Sequence, residues 1–158
     1  MIVSKQRRSI HALGNRRRGA SMVEAVFTLP IFLWGLFAML DLGIAALRMN
    51  ALSDAARRAG RSAVIHGSMV PERSGSWGPA AYSGAVVDAS EMVASLQHSI
   101  PTMEPEDVSV QMTWLDGDNR PGDRVRVQLE YRHTSIVPGI LPWGPFDLEG
   151  SSTMTIVN

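Results

Sequence analysis

The chain has 158 residues, enough for one domain plus an anchor or a tail. Hydrophobic residues make up 45% and charged residues 19%, which excludes wholesale disorder and allows a packed core. Fifteen basic and fifteen acidic residues cancel to +0, but the two signs are segregated. Lys5, Arg7, Arg8, Arg16, Arg17 and Arg18 give residues 1–19 six positive charges and no acid, while residues 67–158 hold five Arg against twelve acids. A basic head on an acidic body lacks the gathered basic surface that a phosphate backbone needs, so no nucleic-acid partner is expected. The absence of Cys excludes disulfides, Cys-ligated zinc, iron–sulfur clusters and thiol catalysis.

The first element is a long apolar helix. Residues 25–40, AVFTLPIFLWGLFAML, carry no charge, with Glu24 just before them and Asp41 just after. Phe27, Ile31, Phe32, Leu33, Trp34 and Leu36 make the run apolar all round, unlike the single stripe of a soluble helix. From Ala20 to Asp41 a helix rises roughly 32 Å at about 1.5 Å per residue, which matches a hydrocarbon core of about 30 Å. A transmembrane helix is therefore expected over 20–47, with Glu24 inside the near interface and Asp41 at the far one. Six positive charges precede the span, so the positive-inside rule keeps residues 1–19 in the cytoplasm and exports the C-terminal body. Pro30 lies within the run, where its missing N–H should kink the helix locally. Membrane helices tolerate such a break.

The helix should continue past the membrane. Ala51, Ala55, Ala59 and Ala63 recur every four residues, beside Leu52, Ala56, Gly60 and Val64. That smooth face suits close approach of a sheet or of another helix. Asp54 is placed to meet Arg57 or Arg58. The expectation is one helix over 21–66, with 48–66 as its extension.

Residues 67–158 should form an extracytoplasmic α+β domain. The Gly- and Pro-rich stretch 67–84 reads as a loop. Residues 85–99 predict a second, amphipathic helix, with Val86, Ala89, Met92, Val93 and Leu96 on one face. The period then changes to two. Val108, Val110, Met112 and Trp114 alternate with polar residues, and so do Val125, Val127, Leu129 and Tyr131. The turn-forming DGDNRPGD lies between them, so a hairpin with one buried face is expected. A third antiparallel strand is expected at Ser152–Val157, after the wide connection PGILPWGP over 138–145.

The motif at the junction is Arg16-Arg17-Arg18-Gly19-Ala20-Ser21-Met22-Val23-Glu24, followed by the apolar run. A Gly, four residues, a Glu and then a membrane helix resembles the processing site of type IV prepilins and pseudopilins. That resemblance implies cleavage between Gly19 and Ala20 by prepilin peptidase, a membrane aspartyl protease. Gly admits an extended backbone to a protease cleft. The arginines would hold the bond at an anionic lipid surface, and a Glu at the hydrocarbon edge is a functional candidate. The new amine of Ala20 would lie one turn from Glu24, which could accept its charge within the chain or from a neighbouring subunit.

GASMVEAVFTLPIFLWGLFAMLDLG followed by NALSDAARRAGRSAV further resembles the N-terminal region of TadE-like proteins, minor pilins or pseudopilins of the tight-adherence (Flp-type) pilus system. The features that match are Glu24, Leu29-Pro30, Gly43 and Ala55-Ala56-Arg57, within roughly residues 16–65. The resemblance implies a processed, single-pass inner-membrane protein with a pilin-like fold, with Glu24 acting in assembly and register. Its partners would be membrane lipid, prepilin peptidase, other pilins or pseudopilins and the assembly platform. Prepilins usually carry Phe after the Glu; Ala25 stands there, which leaves N-terminal methylation undetermined.

No enzyme is expected. His11, His66, His98 and His133 show no ligand spacing, and no nucleophile elbow or phosphate-binding glycine loop occurs. No cofactor, metal or small-molecule substrate follows from the sequence. Asp116, Asp118, Asn119 and Asp123 could gather around Ca²⁺, but their order does not fit an EF-hand, and turns favour Asp and Asn for backbone reasons. Two other readings are an uncleaved single-span anchor with a periplasmic binding module and a secreted protein cut after Ala45. Against the second, the helical pattern runs through Ala45.

Overall fold

The structure is a computed structural model that describes residues 14–69, 75–87 and 96–157. Helix α1 spans Gly14–Ile65. Strands β1 (Tyr82–Ala85), β2 (Val108–Trp114), β3 (Arg124–His133) and β4 (Phe146–Thr155) follow, with single 3₁₀ turns at Gln97–Ser99 and Pro105–Asp107. The strands form one antiparallel sheet in the order β1-β2-β3-β4. The architecture is thus α+β, as expected, but the sheet has four strands where three were expected. The chain divides into two compact units, residues 1–39 and 40–158.

In the first unit every described side chain from Ser21 to Leu36 is exposed. The helix begins seven residues before the expected Ser21, so residues 14–19 of the basic head are helical; residues 1–13 lie outside the described residues.

In the second unit the alternation of β2 and β3 produces the core. Val108, Val110, Met112 and Trp114 are buried, and Val125, Val127, Leu129, Tyr131 and His133 complete the same face. Val110 pairs with Leu129 and Met112 with Val127, so the apolar rows of the hairpin coincide. The opposite face carries Gln111, Thr113, Arg126 and Glu130 and faces solvent. Ala45, Leu52, Ala55, Ala56, Ala59 and Ala63 of α1 cover the buried face and are themselves buried. The small-residue stripe is therefore the helix–sheet contact. Asp54 pairs with Arg58, Oδ2 to Nε at 2.8 Å, on the exposed side.

The stripe allows close packing. At Gly150 in β4 an added Cβ would run into the Leu52–Ser53 backbone of α1. At Gly78, whose φ is +89°, it would run into the Trp114 ring.

Three expectations are corrected here. The expected strand at 152–157 begins at Phe146, because Phe146, Leu148 and Gly150 continue the inward alternation directly after Pro145. Within the expected loop 67–84, Tyr82 opens the edge strand β1, which pairs Tyr82 with Met112 and Gly84 with Val110. The helix expected over 85–99 does not hold at its ends. Ala85 belongs to β1, Val86–Val87 form a turn, and Gln97–Ser99 form a 3₁₀ turn. Residues 88–95, the body of that expected helix, lie outside the described residues. Val86 and Leu96, both expected on its apolar face, are buried.

Candidate functional site

The four residues singled out at the N-terminus all lie on α1. Gly19 is exposed and an added Cβ would meet nothing within 4 Å. Ala20 and Glu24 are four residues apart, one turn along the helix. Glu24 is exposed, and no ion pair to it occurs among the described residues. Pro30 is exposed, and the helix continues through it. The Gly19–Ala20 peptide is helical. A protease that binds extended backbone would have to unwind one turn to reach it, and the lack of a Cβ at Gly19 lowers the cost of doing so.

The surface around these residues is the opposite of a soluble helix. Phe27 is 70% exposed, Ile31 72% and Phe32 63%, and Met22, Val23 and Val26 continue the same exposure. The apolar part of α1 is long and apolar enough to cross a membrane. Soluble monomers rarely leave so large an apolar surface uncovered.

A second cluster lies in the body, and sequence reasoning missed it. Asp41, expected at the far membrane interface, is fully buried. Its Oδ1 accepts the Ile136 N–H at 2.9 Å and its Oδ2 accepts the Trp143 indole N–H at 2.8 Å. Beside it, the buried His133 ring has a tautomer set by its neighbour. Arg48 has only donors, and its Nη1 lies 2.9 Å from His133 Nδ1, so Nδ1 accepts and the proton sits on Nε2. Nε2 points toward Asp41 Oδ1 at 3.7 Å, beyond hydrogen-bond reach, and finds no other partner among the described residues. Arg48 also donates Nη2 to the Thr102 carbonyl at 2.8 Å, and its guanidinium lies 5.1 Å from the Tyr131 ring centroid. The cluster fixes α1 to three separate pieces of the body: the end of β3, the 134–145 connection and the turn at Thr102. The only signal in the sequence was an acid interrupting a greasy run. Its partners lie 92 to 102 positions away, and nothing local points to them.

The acidic turn between β2 and β3 is engaged within itself. Asp116 accepts the Arg124 backbone N–H at 2.8 Å and pairs with its guanidinium at 2.8 Å, which holds the Asp116 carboxyl below the ordinary Asp range and raises Arg124. Asp118 pairs with Arg120 Nε at 2.8 Å, and Asp123 accepts the Arg120 N–H at 3.0 Å. Asn119 is buried and donates to Ser76 Oγ and the Trp77 carbonyl. The turn therefore uses its carboxylate oxygens to close the hairpin and the Asn119 amide nitrogen to tie it to 76–77. No group of three or more potential metal ligands occurs among the described residues.

Residues 19–61 match the family model of TadE-like proteins. The TadE-like segment covers about a quarter of the chain and lies wholly within α1. It holds Gly19, Glu24, Pro30, Asp41 and most of the alanine stripe. The four-stranded body is outside it. Comparison with curated proteins and with solved structures gave no match.

Proposed function

We propose that the chain is a minor pilin or pseudopilin of a tight-adherence pilus or related secretion system, with no catalysis of its own. The carrying observation is that the TadE-like match falls on a helix whose charge-free surface nothing described in its own unit covers. In this reading residues 1–19 are a cytoplasmic leader, prepilin peptidase cuts between Gly19 and Ala20, and the apolar part of α1 resides in the inner membrane. The body is displayed on the periplasmic side. Assembly then draws on helix packing. The freed amine of Ala20 meets Glu24, in its own chain or across subunits, and the pair offsets the cost of carrying a carboxylate into an apolar contact. The body would cap, initiate or regulate the fibre.

Two features speak against a soluble chain starting near Ala46. Such a cut would remove Asp41, stranding the Trp143 and Ile136 donors. It would also remove the buried Ala45.

The test is the mature N-terminus, read by intact mass from membranes with and without the prepilin peptidase. A chain beginning at Ala20 only when the peptidase is present is the expected result. A membrane-bound chain keeping residues 1–19 in both strains would refute processing and leave the fixed anchor. Where the chain begins at Ala20, Glu24→Gln should spare cleavage and block assembly.

A further inference from the structure

The connection between β3 and β4 gives the body a second apolar surface. From Thr134 to Phe146 there is no charged residue. Ile136 and Ile140 are exposed, 45% and 56%. A loop in water does not ordinarily present bulky apolar side chains on a charge-free stretch of this length. The loop is also held at a defined place. Its Ile136 N–H and its Trp143 indole both bond to Asp41, which follows the charge-free run 25–40 without an intervening residue. The carboxylate is held by these two donors inside the body, so none of its atoms is exposed. On the same stretch of α1, Leu40, Leu42 and Leu47 stay exposed.

We propose that the 134–145 loop is a membrane-contacting element, seated in the interfacial layer of the lipid bilayer on the periplasmic side. The occupant of its apolar surface is lipid. The proposal rests on the reading of the apolar part of α1 as a membrane span. Depth follows from the tie to Asp41. About 20 helical residues cross the hydrocarbon, and the interfacial layers bring the bilayer to about 40–45 Å, so whatever is bonded to the residue after the run lies at headgroup level. Asp41 thereby changes role. In an isolated helix its carboxylate would stand bare; here the loop donors hold it inside the body. Trp143 is a side chain suited to that layer, and the isoleucines supply apolar area to bury there.

The chain has no Cys, so single thiols can be placed cleanly. The full chain carrying Ile140→Cys, labelled with an environment-sensitive fluorophore, would be reconstituted in phosphatidylethanolamine–phosphatidylglycerol vesicles with nitroxide lipids bearing the quencher either near the headgroup or deep in the acyl chain. Phe32→Cys reports the span and Ser151→Cys the solvent face of the sheet. The proposal expects the residue-140 label to lose several-fold more fluorescence to the shallow quencher than to the deep one, with the residue-151 label unaffected. If residue 32 is quenched by the deep lipid while residue 140 behaves like residue 151, the loop proposal is overturned and the span stands. If residue 32 is unquenched as well, the span reading fails and takes the proposal with it. Ile136→Cys provides an independent position, and a result there that contradicts residue 140 by staying unquenched would also overturn the proposal.

Discussion

Replacing Gly150 by Ala tests the closeness of the helix–sheet contact. An added Cβ would sit about 2.7 Å from the Leu52 carbonyl oxygen and closer still to the Leu52–Ser53 peptide, where ordinary contact begins at 3.4 Å. Those atoms are backbone and cannot swing aside. To clear the nearest of these atoms strand and helix must separate by roughly 1 Å, a gap that forfeits up to about half of each dispersion contact across it. The neighbours that lose contact include Leu52 and Leu129, both fully buried. Overpacking of this kind costs about 1–3 kcal/mol, and Gly150 is among the worst sites for it because nothing flexible is available to give. The matched control is Gly60→Ala. There the nearest atom is the flexible Met154 Sδ at 3.3 Å, and Ala is the better helix former by about 1 kcal/mol, so the change should be neutral or stabilising. Thermal unfolding of the full chain in detergent, followed by near-UV circular dichroism, reads both. Gly150→Ala should lower Tm by several degrees and Gly60→Ala should not. Equal effects at the two positions would refute the claim that α1 backbone rests directly on β4.

Asp41→Asn should cost about 1–3 kcal/mol, since the amide replaces one acceptor with a donor that faces the Trp143 and Ile136 donors; an unchanged Tm and an unchanged near-UV tryptophan signal would refute it. Leu52→Ala, at a fully buried site beneath the sheet, should cost about 2–5 kcal/mol in chemical denaturation, and a loss below 1 would mean the helix is not part of the core. Asp116 should titrate below the ordinary Asp range by NMR, because Arg124 favours its charged form. Its lowered folded pKa means that its contribution is present above the unfolded value and lost as pH falls through the folded one. Asp116→Asn should therefore remove part of the acid sensitivity of the β2–β3 turn, and salt should weaken the effect because the pair is exposed.

The β2–β3 hairpin was legible because both strands alternate strictly and DGDNRPGD separates them. The α1 extension was legible from its four-residue alanine repeat, although whether a sheet or another helix covered it was not. β1 escaped notice since Tyr82–Ala85 is short, contains Gly84 and sits among turn-forming residues; its stability comes from pairing with β2, which local composition does not encode. The start of β4 was hidden by Gly150, which reads as a breaker and is in fact the residue that admits the helix. The Gly19, Ala20, Glu24 and Pro30 segment was legible as a motif, since its chemistry is contiguous along one helix. The Asp41–His133–Arg48 cluster was not, because folding alone brings its members together.

The alanine stripe also has a consequence in time. Leu52 and its neighbouring alanines are made about a hundred residues before Gly150, which covers them. At ~5–20 residues per second the stripe waits roughly 5–20 s for its partner strand. A face of leucines or phenylalanines left uncovered for that long would invite association with any neighbour. Alanines bury little area each, so the waiting helix is only weakly adhesive, and its strength of contact arises later from the close approach that small side chains permit. The same residues that let β4 sit tightly on the finished subunit keep the unfinished one from sticking.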